Sequence, residues 1–263
     1  MMNRKIIFFD IDGTIYSNEL GSITQRVKNA IAKTREKGHL CFIASGRPYG
    51  FIADNVKEIG FDGYVLANGA NIKYNEQDLE IRYLKYEDVK ELCYLLKKKN
   101  IEYVLQTSDL CYIDMNNECL LNFYKICNID FKNFCFNYDE DEIMHKVIKM
   151  EAWVKNEEEL QYAVSCYGKF AYELHPDHHS MEIYDKNVSK ATGILDVFKL
   201  LNMNVEDSYC FGDGPNDVEM FEIVGHPIAM GNAIDIIKEK AEDICLSIYE
   251  DGVAYKLEEL FMK

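Results

Sequence analysis

Apolar residues along the chain follow two rhythms, and the points where one gives way to the other outline the architecture. Residues 5–9, KIIFF, make a short apolar run of the kind buried on both faces of a parallel sheet. Val27, Ala30, Ile31 and Thr34 then recur at helical spacing, with Thr24 placed to cap a helix over 25–37 and Gly38 placed to end it. A second apolar run at 39–44 ends in Ser45-Gly46-Arg47-Pro48. A helix to about residue 59 and a strand at 64–67 follow. Strand, helix and strand in alternation predict a parallel α/β sheet covered on both faces.

From about residue 81 the pattern changes. A strand, a helix at 87–99, strands at 102–106 and 110–114 and a helix at 117–127 are predicted. A strand at 146–154, a helix at 157–166 and strands at 170–175 and 181–184 complete this stretch. Neighbouring strands joined by short turns suggest antiparallel pairing and an α+β module. Trp153 falls inside one of these strands and reads as core, and Glu157, Glu158 and Glu159 read as the solvated first turn of a helix. The α/β alternation resumes at 189, with a helix to 201, a strand at 209–211, a helix, a strand at 227–230, another helix and a last helix from 253. One α/β domain, 1–82 and 187–263, is therefore expected to be split by an insertion at 83–186.

The 263 residues carry a formal charge of −16 with a pI near 4.8. This argues against nucleic-acid and membrane-surface partners, which call for a basic face. It leaves room for a small anionic substrate, because a bound cation reverses the field locally. The first apolar run is broken by Asp10, too early for a secretory leader, and no stretch approaches the length of a membrane span. With nine cysteines, an odd number, a cytoplasmic protein with reduced thiols is expected. Cys111, Cys119, Cys127 and Cys135 recur every eight residues. That spacing fits neither the close pairs of zinc sites nor one helix face, and it reads as coincidence.

Four places carry candidate chemistry. Asp10 and Asp12 stand one residue apart just past the first strand, in FFDIDGT. In open parallel sheets ligands bind beyond the carboxyl ends of the strands. Two carboxylates ~4 Å apart repel by roughly 4 kcal/mol at an effective dielectric near 20, a cost that a divalent cation removes. Oxygen-only ligation beside a phosphate suits Mg²⁺. Ser45-Gly46, at the end of the second strand, offers a hydroxyl and backbone N–H groups to a phosphate oxygen. Lys190, on the first turn of a helix, reaches an anion beside it. In Phe211-Gly212-Asp213-Gly214-Pro215-Asn216-Asp217, Asp213 completes a cation site, and Asp217 either bonds the cation's water shell or fixes Lys190. Taken singly these are an acidic turn, a Ser-Gly loop, a surface lysine and a second acidic turn. Taken together they occur in order at strand ends and helix starts of one sheet.

These residues, FFDIDGT, Ser45-Gly46-Arg47, Lys190 and GDGPNDVEM, resemble the four motifs of the haloacid dehalogenase-like (HAD) phosphatases. The run Ala229-Met230-Gly231-Asn232-Ala233, with Lys238, Ala241-Glu242-Asp243 and Asp251-Gly252-Val253-Ala254, resembles the Cof-type branch, whose inserted cap is of type IIB. The resemblance covers 1–82 and 187–263, and in the insertion it is one of layout. Ser45 stands where threonine is commoner, and the hydroxyl is retained. The resemblance implies a Rossmann-like core with an α+β cap and a Mg²⁺-dependent phosphatase of small phosphorylated metabolites, sugar phosphates among them. It implies Asp10 as nucleophile, forming an aspartyl-phosphate, and Asp12 as acid and base. Asp10, the Asp12 carbonyl and Asp213, supported by Asp217, would hold Mg²⁺. Ser45, Gly46, Lys190 and Asn216 would hold the phosphoryl oxygens.

Other features stay open in the sequence. Asn68-Gly69-Ala70 reads as a tight turn or as a substrate contact. His175, His178 and His179 suggest a metal or leaving-group contact, while Pro176-Asp177 between them reads as a hairpin turn. A phosphotransferase or mutase on the same core, and a non-catalytic metabolite binder, are the alternatives. Asp12 argues against the first. The pairing of a nucleophile with an acid/base argues against the second.

Overall fold

The computed structural model describes residues 4–17, 19–127, 129–175 and 178–262. The chain divides into two compact units. Met1–Gly46, Ile52–Leu79 and Ser189–Lys263 make the first, and Arg47–Phe51 with Glu80–Val188 make the second.

The first unit opens with β1 (Ile6–Phe9), α1 (Gln25–Glu36), β2 (Leu40–Ala44), a short α2 (Asp54–Lys57), β3 (Gly63–Leu66), β4 (Asn71–Tyr74) and β5 (Gln77–Ile81), whose last two residues already belong to the second unit. The second unit holds α3 (Tyr86–Lys98), β6 (Glu102–Gln106), β7 (Cys111–Ile113), α4 (Glu118–Ile126), β8 (Phe134–Cys135) and α5 (Glu140–Met144). It ends with β9 (Lys149–Trp153), α6 (Glu157–Cys166), β10 (Phe170–Leu174) and β11 (Ser180–Asp185). The chain then returns to the first unit with α7 (Lys190–Leu201), β12 (Ser208–Gly212), α8 (Val218–Ile223), β13 (His226–Ala229), α9 (Asp235–Lys240), β14 (Asp243–Ile244) and α10 (Gly252–Phe261).

The first unit's sheet has the order β14-β13-β12-β1-β2-β3-β4-β5. Every pairing from β14 to β3 is parallel, and β4 joins β3 antiparallel. This is an α/β fold with a parallel, Rossmann-like sheet. The central position of β1 explains its composition: all four residues are buried, as a strand covered on both faces requires. Phe8 packs on Phe42 and Phe198, and Phe9 stacks on Phe211 at 5.3 Å. Helix α1 buries Val27, Ala30, Ile31 and Thr34. The Thr24 side chain accepts the Val27 N–H as its cap, and Gly38, at φ +88°, turns the chain away.

The second unit is built on a sheet of order β10-β11-β9-β6-β7-β8, antiparallel except between β7 and β8. Leu105, Met150, Ala152, Met181 and Ile183 line one apolar cluster with α3 and α6. Val104, Cys111 and Ile113 belong to another with Leu120, Tyr124 and Phe134.

The structure departs from the sequence reading in several places, and it adds β8, α5 and β14, short elements for which no expectation was formed. The helix expected to reach residue 59 is a 3₁₀ turn, Tyr49–Phe51, followed by the single turn of α2. Extended backbone at Ala53 separates them, and Phe51 leaves to stack on Phe134 and Tyr124 in the second unit. The strands β4 and β5 carry too many polar residues for periodicity to expose; β4 is mostly buried, and the largely exposed β5 ends the sheet. Trp153 is half-buried rather than core, resting on Phe123 and stacking on His179 at 5.1 Å. Of the three acids that open α6 behind an Asn156 cap, Glu157 and Glu158 are exposed as read, while Glu159 is half-buried and its carboxylate accepts the Lys155 N–H at 2.8 Å. Among the described residues no helix is long and apolar enough to cross a membrane.

Candidate active site

Four neighbouring strands, β12, β1, β2 and β3, run parallel, so their carboxyl ends lie along one edge of the sheet. Asp10 follows β1, Ser45 follows β2 and Asp213 follows β12. Phe9 pairs with both Phe211 and Ile43, which brings these loops level with one another. Strand spacing of about 4.8 Å keeps them within reach of one small ligand.

Lys190 is the hub of the buried part. Its Nζ lies 2.6 Å from Asp10 Oδ1 and 2.7 Å from Asp217 Oδ1, and its side chain is 1% exposed. The first turn of α7 puts it there. Ser189 and Thr192 exchange side-chain and backbone hydrogen bonds in a capping box, and this fixes the direction in which the helix starts. Asp217 also anchors the loop after β12: its Oδ2 accepts the Asp213 and Gly214 N–H groups at 2.9 and 3.1 Å. Of the two roles open to Asp217, the geometry displays the fixing of Lys190, and the same carboxylate lies within the acidic group. Asp213 Oδ1 accepts the Thr14 hydroxyl at 3.1 Å.

Carboxylate oxygens of Asp10, Asp213 and Asp217 lie within 4.8 Å of one another. Three buried or half-buried carboxylates thus share one ammonium, and negative charge is in excess. Burial, opposed by Lys190 and reinforced by Asp217 and Asp12, holds the Asp10 carboxyl well above the usual carboxylate range. Burial and Asp217 push Asp213 up to about 6. Burial pulls Lys190 down, but Asp10 and Asp217 outweigh it and the ammonium is kept charged. A donor set of carboxylate oxygens with uncompensated negative charge fits a hard divalent cation.

Asp12 is exposed and stands outside this buried group. Its loop is tightly wound: the Ile11 carbonyl accepts from Thr14, Ile15 and Tyr16 N–H groups, and Gly13 N–H donates to the Tyr16 carbonyl. Gly13 is held at φ +87°, and a Cβ on it would lie 2.1 Å from Asp213 Oδ2. Only glycine lets the Asp213 carboxylate come so near the first loop. Ser45 is buried, Gly46 is half-buried, and Asn216 is exposed on the 3₁₀ turn Pro215–Asp217.

The other candidates separate. His175 Nε2 lies 3.4 Å from Glu182, while His179 Nδ1 is 2.8 Å from the Val154 carbonyl, so the two serve different partners. Strands β10 and β11 form the expected hairpin, and Pro176 and Asp177 lie outside the described residues. Among the described residues the acidic trio is the group of metal-ligating side chains found, and the four evenly spaced cysteines form none.

Two positioning residues escaped the sequence reading. Thr14 was visible only as part of FFDIDGT, and Asn232 only as part of AMGNA. Asn232 Nδ2 donates to the Gly13 carbonyl at 2.8 Å and its Oδ1 accepts the Ile248 N–H at 2.9 Å, tying the first loop to the last. Nothing local in the sequence announces a contact spanning 219 residues.

A family model describing haloacid dehalogenase-like hydrolases matches residues 7–257. The chain belongs to the haloacid dehalogenase-like hydrolase family. The HAD relatives cover it almost end to end. YkrA of Bacillus subtilis is 29% identical over 98% of this chain and 98% of its own. The 5-amino-6-(5-phospho-D-ribitylamino)uracil phosphatase YitU of the same organism is 27% identical, over 97% of each chain. The crystal structure of the HAD subclass IIB sugar phosphatase BT4131 superposes with a TM-score of 0.81 and 26% identity, covering 98% of this chain and 100% of that one. The protein is thus an enzyme of the HAD phosphatase type, in the Cof-type branch, and its inserted unit is the cap of subclass IIB.

Proposed function

We propose that this enzyme hydrolyses phosphomonoesters of small metabolites, sugar or polyol phosphates in particular, through an aspartyl-phosphate on Asp10 and with Mg²⁺ as cofactor. The observation that carries the reading is the buried Asp10–Lys190–Asp217 pairing beside Asp213, at the carboxyl edge of a parallel sheet. The substrate class draws support from relatives named for a phosphoribityl compound and for sugar phosphates. The inserted unit, 83–186, is the part assigned to leaving-group selection.

In the first step a carboxylate oxygen of Asp10 attacks phosphorus, and the bond from phosphorus to the ester oxygen breaks. The departing alkoxide takes a proton from Asp12, which stands in the exposed turn two residues on. In the second step Asp12, now a carboxylate, accepts a proton from water as that water attacks phosphorus. The bond from phosphorus to Asp10 breaks, and orthophosphate leaves. Ser45, Gly46, Lys190 and Asn216 hold the phosphoryl oxygens, and Lys190 neutralises charge that would oppose the attack. Asp10, the Asp12 carbonyl and Asp213, with Asp217 in support, would hold Mg²⁺. When bound, the cation offsets the excess negative charge of the site and that of the phosphoryl group.

The test is phosphate release from a panel of phosphorylated sugars, polyols, nucleotides and cofactors, with and without Mg²⁺, for the wild type and Asp10→Asn. Release that needs both Mg²⁺ and Asp10 is expected. Release that survives Asp10→Asn would remove Asp10 as nucleophile. Transfer to an added acceptor alcohol in preference to water would make the enzyme a phosphotransferase.

A further inference from the structure

Asn68 stands beside the phosphate-side residues, and the mechanism above gives it no part. It follows β3 at the same edge of the sheet that carries Asp10, Ser45 and Asp213. Its side chain is 4% exposed, yet neither Oδ1 nor Nδ2 has a hydrogen-bond partner in the described protein. Burying both ends of a carboxamide without partners is costly, and native folds keep few such groups.

The turn alone does not account for the residue. Asn68 sits at φ 55°, ψ 31°, a conformation that glycine adopts without burying an amide. Its neighbour Ala67 is also left-handed, at φ 50°, where a Cβ is unfavourable. Two such residues in succession persist because the surroundings hold them. Asn68 N–H donates to the Ser45 carbonyl at 3.3 Å. Gly69 approaches the start of α7 so closely that a Cβ there would lie 2.2 Å from the Ser189 carbonyl oxygen. A Cβ on Gly46 would lie 2.9 Å from Asn68 Oδ1, so the carboxamide rests against the Gly46 backbone. Asn68 is thereby wedged between the Ser45-Gly46 turn and the helix start that carries Lys190.

We propose that Asn68 is a substrate-contacting residue whose carboxamide donates a hydrogen bond to an oxygen of the phosphoryl group held by Ser45, Gly46 and Lys190. The inference rests on the phosphatase reading above. Its chemistry is complementary: the Nδ2 group brings N–H donors, and phosphoryl oxygens only accept. The unpaired amide of the free enzyme becomes paired when the anion binds, so the interaction is kept for the substrate.

The test uses the full chain, with inorganic phosphate as probe. Phosphate affinity is measured by calorimetry and as inhibition of aryl-phosphate hydrolysis, well below the unfolding midpoint, for the wild type, Asn68→Gly and Asn68→Asp. Asn68→Gly keeps the left-handed backbone and deletes the amide. It should weaken phosphate about 10-fold, the loss of one hydrogen bond to a charged group, with the urea midpoint unchanged. Asn68→Asp keeps the shape and replaces the donor with an anion, and should weaken phosphate further. If Asn68→Gly does not fold, the isosteric Asn68→Asp carries the test. Wild-type phosphate affinity in these variants, whatever their stability, would reduce Asn68 to a turn residue and overturn the proposal. A wild type that releases no phosphate from any ester would defeat the phosphatase reading instead, while calorimetric binding of phosphate would still decide the role of Asn68.

Discussion

Replacing Gly13 with alanine perturbs the site through backbone geometry alone. Gly13 lies at φ +87°, where an L-residue costs roughly 1–2 kcal/mol. The added Cβ would meet Asp213 Oδ2 at 2.1 Å, so the carboxylate must move. Moving it breaks the 3.1 Å hydrogen bond from the Thr14 hydroxyl, a charge-assisted contact of about 1.5–3 kcal/mol. Together these give a destabilisation of about 2.5–5 kcal/mol. Gly21 is the control: it too has a positive φ, +66°, but nothing lies within 4 Å of its would-be Cβ. Gly21→Ala should therefore show the backbone cost of about 1–2 kcal/mol and keep full activity. The assay is urea unfolding followed by circular dichroism. The single tryptophan, Trp153, belongs to the second unit, and its fluorescence reports mainly there. Phosphate release over a Mg²⁺ titration accompanies it, and Gly13→Ala should need more Mg²⁺ for half-maximal rate. Equal stability losses in the two variants, with an unchanged Mg²⁺ requirement in Gly13→Ala, would refute the close packing of Asp213 against the first loop.

Lys190→Met should lower phosphate release by about 10²–10³-fold, as loss of one preorganised charge does, and should cost about 3–5 kcal/mol because Asp10 and Asp217 lose their buried partner; unchanged stability would mean the pair carries no net interaction. Asn232→Ala removes bonds of 2.8 and 2.9 Å that tie Gly13 to Ile248, and should cost about 1–2 kcal/mol with a fall in kcat larger than any change in KM; a change in KM alone would contradict a positioning role. In the second unit, burial pushes Glu182 up, but the Lys149 ammonium at 2.5 Å and His175 outweigh it and bring the carboxyl from 4.5 to about 2. The folded state therefore favours the charged form: this stability is fully present above pH 4.5 and is lost as pH falls toward 2. Burial and Glu182 raise the neighbouring Glu151, so its contribution runs the opposite way and softens the acid transition. Lys149→Met should remove part of the roughly 3 kcal/mol that this shift represents at pH 7, His175 supplying the rest, and should raise the acid midpoint seen by Trp153 fluorescence; an unmoved midpoint would show that the pair does not set the acid stability of this unit.

The sequence made most of this legible where local signals decide. Thr24, the four buried positions of α1 and Gly38 defined a helix to within a residue. The continuous apolar strands β1 and β2, each running into a polar turn, placed Asp10 and Ser45 at ligand-binding ends. What stayed hidden depends on distant partners. The break between Tyr49–Phe51 and α2 arises because Phe51 packs on Phe134 and Tyr124, more than 70 residues away in sequence. β4 and β5 are strands by virtue of the sheet they join. Asn68-Gly69 was readable as a turn, but its buried, unpartnered amide is a property of the Ser45-Gly46 loop and the start of α7 together. Asn232 likewise acts on a loop 219 residues away.

The central claim, that Asp10 carries the phosphoryl group, is tested most directly by looking for it there. Asp12→Asn, given an aryl phosphate whose leaving group needs no acid, should still be phosphorylated but cannot activate water. Mass spectrometry of the quenched enzyme should then find one phosphoryl group, mapped to Asp10, and none in Asp10→Asn. A wild type that turns over the same ester, paired with an Asp12→Asn enzyme that never holds phosphate or holds it on another residue, would contradict the account.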